Sequence, residues 1–323
     1  MNGKKRKYWV IMFTFIFLFI SFYHNTYALK INNEKKVENY FIVDKNNNGD
    51  FSSIQKAIEQ VSDGSTIFVK NGEYNEIIDV YKSVVLLGED KRGTLINPIS
   101  EKNKYAVRLG AQNIKIKNFG IINRAPGLYT TALKIVSSNN EIENCYIYET
   151  PVGISIWASG NLIKNCEFWG CKDEGIAIIG WKDNECKKNI IENCLFYENC
   201  DGIELQYSSS NIIKNCEFYD NTHTGIDAIA SSNDKNQIIN CKIYKNRVNV
   251  IYLSSSSDNK IIDCDLFENK DGNIVMNKYS ENNQIIDTNN ENIQDTKNLM
   301  QKILNVLKTK NFRINKFLSL FNF

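Results

Sequence analysis

Residues 189–206 read NIIENCLFYENCDGIELQ, and residues 211–230 read NIIKNCEFYDNTHTGIDAIA. Laid over one another, they match Asn on Asn, Cys on Cys and Phe on Phe. The match extends outward in both directions. An Asn or Asp closes a short Ile-rich run at Asn118, Asn144, Asn165, Asn193, Asn215, Asn240, Asp263 and Asp287, at spacings of 26, 21, 28, 22, 25, 23 and 24 residues. A recurrence of this length marks a solenoid, in which each unit buries its apolar face only against its neighbours.

Each copy holds three short β stretches with bends between them, and no helical period long enough for an α-solenoid or leucine-rich unit. Three strands per turn, coiled with parallel stacking, make a β-helix of about seven to nine coils with neighbouring strands about 4.8 Å apart. Asn tolerates the left-handed backbone that tight bends need. Cys145, Cys166, Cys194, Cys216, Cys241 and Cys264 follow this column directly. Two residues further on come Ile147, Phe168, Phe196, Phe218, Ile243 and Leu266. Strand alternation puts both sets on the inner face. Ile154, Ile176, Ile203, Ile226, Ile251 and Ile274 form another inner column, and Asn199, Asn221, Asn246 and Asn269 a second Asn column.

The ends differ from the body. Lys4 to Lys7 precede fourteen mostly apolar residues, Trp9 to Phe22, and Thr26-Tyr27-Ala28 offers a small-residue exit. Residues 1–28 therefore read as a signal peptide and 29–40 as a linker, which makes the protein secreted or displayed at the cell surface; an uncleaved anchor is the alternative. Residues 41–110 read as an N-terminal cap with the first coils. Ser52 and Gln55 form a capping box opening a helix with apolar positions Ile54, Ala57, Ile58 and Val61. Thr66–Lys70 and Val84–Leu87 read as strands, with Asn71-Gly72 turning between them. Residues 111–290 hold the repeats. Residues 291–323 read as an amphipathic helical cap or as a basic tail for a membrane surface or protein partner. The chain carries +2; residues 1–28 hold four Lys/Arg and no acid, and residues 295–323 six Lys/Arg and one Asp, which leaves the body at −7. An acidic body does not attract nucleic acid.

Of nine cysteines, six stand in the inner register and read as core thiols. Cys171 and Cys200 fall at nearly the same place in consecutive coils, within reach of a disulfide.

These residues resemble right-handed parallel β-helix repeat proteins, most of all the NosD-like group with its N-x-I-x-N-(C/N)-x-F-x-x-N-x-x-G-I repeats, over residues 135–290. Gly49 to Glu76 (GDFSSIQKAIEQVSDGSTIFVKNGEYNE) is similar to the start of pectin-methylesterase-like and pectate-lyase-like chains. The resemblance implies an extracellular β-helix associated with carbohydrate. The esterase Gln-Asp and Asp-Phe-Ile-Phe-Gly segments and the polygalacturonase Gly-His-Gly and Arg-Ile-Lys segments are absent. The copper role linked to NosD proteins is not carried over, because residues 29–323 hold one His, His223, and two Met.

Polysaccharide is the expected partner, engaged at the cell surface in a binding or structural role; the alternatives are a polysaccharide lyase or glycoside hydrolase using the acidic patch, and a NosD-like accessory to a membrane complex that docks through the basic tail. Glu204 and Asp227 follow the Ile column on adjacent coils, with Asp173, Glu174, Asp201 and His223 close in register. As a hydrolase site, Glu204 and Asp227 serve as acid and base and His223 orients substrate. As a lyase site, Asp201, Glu204 and Asp227 hold Ca²⁺ against a uronate, and Arg247 or Lys245 takes the proton. Three residues after the cysteines come Tyr148, Trp169, Tyr197, Tyr219, Tyr244 and Phe267. This stripe is either an outward platform on which sugar rings stack or a structural stack turned inward at the bend. Trp181 lies on an inserted loop, Gly180–Lys188, and such loops often form the binding face of a solenoid.

Overall fold

The computed structural model describes residues 39–99, 104–127, 130–229, 232–271 and 274–290. The expected signal peptide and the C-terminal helical segment lie outside these residues. Three parallel sheets of 11, 10 and nine strands wind through the described chain as a solenoid of roughly ten coils. This is more than the repeat signature suggested, because coiling already begins at Tyr40. The strands Tyr40–Val43, Thr66–Val69 and Val85–Gly88 stack in parallel. Asn71-Gly72 does not join a hairpin. The strands Gly72–Tyr74 and Ile78–Val80 lie between Thr66–Val69 and Val85–Gly88 and complete the coil.

The one helix among the described residues, Ile54–Gln60, buries Ile54, Ala57 and Ile58. Its cap is Ser53, one residue later than the capping box implied: the Ser53 hydroxyl accepts from Lys56 N at 3.2 Å. The Glu76 carboxylate accepts from Ser53 Oγ, Ile54 N and Gln55 N. A carboxylate from a later coil thus holds the first turn's free N–H groups, where negative charge is favoured.

Inside, the columns are continuous. The six register cysteines are buried, as are Phe168, Phe196, Phe218 and the Ile column from Ile154 to Ile251. Phe168, Phe196 and Phe218 stack at 4.7 Å with ring planes within 6°. Each such side chain contributes about 1.5–3 kcal/mol of burial.

The bends share one device. All eight members of the leading Asn/Asp column have positive φ, from 45° to 61°. The other two bends also carry a left-handed residue, such as Glu198, Asp220 and Lys245, or Lys188, Ser210 and Lys235. The residue after it is a buried Asn at most coils, forming two ladders: Asn199, Asn221, Asn246 and Asn269, and a second ladder not seen as a column in the sequence, Asn140, Asn161, Asn189, Asn211, Asn236 and Asn259. Within these two ladders the Asn backbone N–H falls outside the strand ladder, and the Oδ1 of the Asn one coil on accepts it, as at Asn189, Asn199 and Asn221.

Candidate functional site

The outer face of the nine-stranded sheet is where polar side chains come together. Its middle outward column runs Arg108, Lys134, Ser155, Ala177, Glu204, Asp227 and Tyr252, each paired in register with the next. A parallel column places Glu174 beside Asp201. A cleft over this face is lined by Lys134, Ser155, Trp157, Glu174, Glu204 and Gln206, among others. A run of glycines lets the coils close up behind it: a Cβ on Gly175 would stand 2.8 Å from the Gly202 carbonyl and from the Phe196 ring.

The face is divided by charge. At one end Lys134 has no ion-pair partner among the described residues, and its ammonium lies 4.7 Å from the Trp157 ring centroid. Burial, then the nearby Arg108 and Lys104, lower its pKa. The Trp157 indole N–H donates to Ser155 Oγ at 2.5 Å. Trp181, 59% exposed, tilts against Trp157 with centroids 5.3 Å apart. The inserted loop therefore folds back beside the cleft.

At the other end stand four buried or half-buried carboxyls. Glu174 and Glu204 touch through their carboxyl groups. Burial, then the Glu204 carboxylate, push Glu174 up to about 10. Burial also raises Glu204. With Glu174 raised that far, the pair retains a proton at neutral pH. Asp227 is 6% exposed, and its Oδ1 is buried without a hydrogen-bond partner. Burial, then Asp201 and Glu204, push it up to about 7. Burial raises Asp201 too, opposed by His223; its Oδ1 accepts from Thr224 N at 2.7 Å and lies 2.8 Å from His223 Nδ1.

The sequence of this scaffold matches one family along most of its length. The family described as right handed beta helix region matches residues 22–185, 72–233 and 190–297. The chain belongs to the right-handed β-helix family. Among solved structures this β-helix is similar to ORF18 of Geobacillus virus E2, with 13% identity and a TM-score of 0.58 over 73% of this chain and 57% of that one. It thus spans a little over half of the viral protein. It is similar to the A-module of the Azotobacter vinelandii mannuronan C-5 epimerase AlgE4, with 14% identity and a TM-score of 0.52 over 70% and 79% of the two chains. It is also similar to an alginate lyase from Paenibacillus, with 11% identity and a TM-score of 0.48 over 73% and 95%. No curated protein matches the sequence.

The β-helix places the other expected site residues as follows. Glu204 and Asp227 pair directly, as register required. His223 stands against Asp201 rather than in the Glu204 column. Among the described residues, the donor atoms that all lie within 4.8 Å of one another belong to Cys200, Asp201 and His223, a different grouping from the all-carboxylate set Asp201, Glu204 and Asp227. Lys245 pairs with Glu268 at 3.7 Å, and Arg247 N donates to Asn221 O. Cys171 and Cys200 are free thiols. They are offset by one position: Cys171 occupies the buried Asn column, donating its N–H to Asn199 Oδ1, while Cys200 begins the outer corner.

The aromatic stripe is a ladder. Tyr197, Tyr219, Tyr244 and Phe267 stack at 4.8–5.3 Å with planes within 9°. Tyr148 and Trp169 stack at 6.1 Å. The faces of the inner rings are taken by their neighbours, so ring edges face outward. Tyr219→Ala is expected to destabilise the protein by about 1–3 kcal/mol and to leave polysaccharide affinity unchanged. Chemical denaturation beside a binding titration checks both halves.

Proposed function

We propose that this protein is exported and engages a polysaccharide along the outer face of the nine-stranded sheet, cleaving it with the carboxyl cluster. The observation that carries the reading is Asp227, a buried carboxyl with an unpartnered oxygen, set beside a carboxyl pair that retains a proton. A folded chain gains no stability from such a group, and strained ionisable clusters beside a cleft mark functional sites. The Trp157–Trp181 pair supplies aromatic surface for a sugar ring. That a solved structure of this fold is named as a mannuronan C-5 epimerase module supports the choice of substrate class.

The chemistry follows from the two protonation states. Glu204 delivers the proton shared with Glu174 to the glycosidic oxygen as the carbon–oxygen bond breaks. Asp227, partly ionised near neutrality, takes a proton from the water that attacks the anomeric carbon. The proton on Asp227 then returns to the Glu174–Glu204 pair and resets the site.

Incubation with a panel of neutral and acidic polysaccharides, read by reducing-end release, tests the reading. Hydrolysis products are expected. Unsaturated ends would replace hydrolysis by elimination, and the absence of both binding and products would overturn the proposal. Trp181→Ala is expected to weaken binding about tenfold, the effect of losing roughly 1.4 kcal/mol of stacking. If Trp181→Ala weakens binding while no ends are released, the protein engages its polysaccharide without cleaving it.

A further inference from the structure

We propose that Cys200, Asp201 and His223 form a binding site for Zn²⁺ or a neighbouring divalent transition ion at the corner leading into the nine-stranded sheet. The thiol sulfur, a carboxylate oxygen and an imidazole nitrogen lie within 4.8 Å of one another. They come from two consecutive coils, and the backbone fixes them there. Cys200 N donates to Cys171 O and to Asp173 O at 3.1 Å. His223 N donates to Cys200 O at 2.9 Å. Thr224 N holds Asp201 Oδ1 at 2.7 Å. Donors on a rigid coil-to-coil frame need little rearrangement to close on an ion.

The donor types decide the class of metal. A thiolate with an imidazole and a carboxylate suits zinc and its neighbours in the transition series. Ca²⁺ and Mg²⁺ take oxygen ligands and are not matched by sulfur. Three protein ligands leave a fourth position for water or a substrate oxygen, as in open zinc sites. The His223 side chain is 42% exposed and that of Asp201 8%, so an ion has a route in and a buried anchor. Binding displaces the Cys200 thiol proton, so metal uptake releases a proton.

The test uses the full chain, kept reduced, titrated with Co²⁺ alone. One equivalent is expected to bind with a sulfur-to-cobalt charge-transfer band in the near ultraviolet, and Zn²⁺ to displace it and raise the melting temperature. Cys200→Ser is expected to abolish the band and His223→Gln to weaken affinity by more than about tenfold, whereas Cys171→Ser leaves both unchanged. His223 is half-exposed, so His223→Gln keeps the test open even where the cysteine variant folds poorly. A band that survives Cys200→Ser, affinity unmoved in His223→Gln, or no saturable binding overturns the proposal. Glu204 and Asp227 lie outside the ligand set, so failure here leaves the cleavage reading standing, and its failure leaves this one standing.

Discussion

Asp227→Asn is expected to lower polysaccharide cleavage by about 10²–10⁴-fold, the span for loss of a positioned general base, while leaving substrate affinity within a few-fold. Glu204→Gln should do the same by removing the proton donor. Rate and binding are read separately, by reducing-end release at saturating substrate and by a binding titration. A variant with full rate would take its residue out of the chemistry. The wild-type pH profile should be bell-shaped. Its acid limb should lie near 7, where Asp227 loses its charge, and its alkaline limb higher, where the Glu174–Glu204 pair gives up its proton.

Stability should move with the same groups. Asp227 has its pKa raised in the folded state, from the ordinary 3.8 to about 7, so the native protein binds the proton more tightly than the unfolded chain. Its contribution is fully present below pH 4 and is lost as pH rises through 7. Asp227→Asn keeps the shape and removes the charge. It should therefore make the protein more stable than wild type at pH 8, on the order of 2–3 kcal/mol after screening and relaxation, with the difference gone at pH 4. Melting curves at the two pH values measure it. Lower activity with higher stability in one variant is the pattern of a functional residue held against its own preference.

What the sequence made legible was whatever repeats in one column. Cys166, Phe168 and Ile176 could be placed inside because each recurs at the same offset in neighbouring coils, and the Glu204–Asp227 pairing followed from the same register. In the first coils Thr66–Val69 and Val85–Gly88 were legible as strands, but Gly72–Tyr74 and Ile78–Val80 between them escaped, because they carry no Asn-Cys signature and Asn71-Gly72 read as a turn joining the two strands. The ladder from Asn140 to Asn259 was visible only as the residue opening each Ile-rich run, a signal easily taken for a loop end. The Glu174–Glu204 contact crosses from one column to another, and register alone says nothing about diagonal reach. Trp157 meets Trp181 because a loop folds back, and no periodicity encodes that. The one-position offset between Cys171 and Cys200 turns on which residue occupies the buried Asn column, a detail that coil lengths varying from 21 to 28 residues obscure.

Asn221→Ala should be among the most damaging single substitutions in the solenoid, costing about 3 kcal/mol or more. Asn221 Oδ1 accepts from Asn199 N at 3.1 Å and Asn199 Nδ2 at 3.2 Å. Its Nδ2 donates to Phe196 O at 3.2 Å and Asn246 Oδ1 at 2.9 Å. Truncation strips partners from four groups at a site with no measurable exposure. Asn199 Nδ2 keeps Phe168 O and Asn246 Oδ1 keeps Asn221 N, but Asn199 N loses its acceptor, and water cannot replace that acceptor without opening the stack, so Asn199 N carries much of its desolvation cost. Asn215→Ala is the control. Asn215 is a bend residue with φ of 54° on the outer column, and its Oδ1 accepts one exposed bond from Asn240. Its loss should cost only the left-handed preference, about 1 kcal/mol. Denaturation midpoints of the two variants decide between two accounts of the fold. If Asn215→Ala proves the worse, bend conformation governs stability. If Asn221→Ala does, the coils are held by a buried polar ladder, and the repeated Asn is selected for the hydrogen bonds it makes to the next coil.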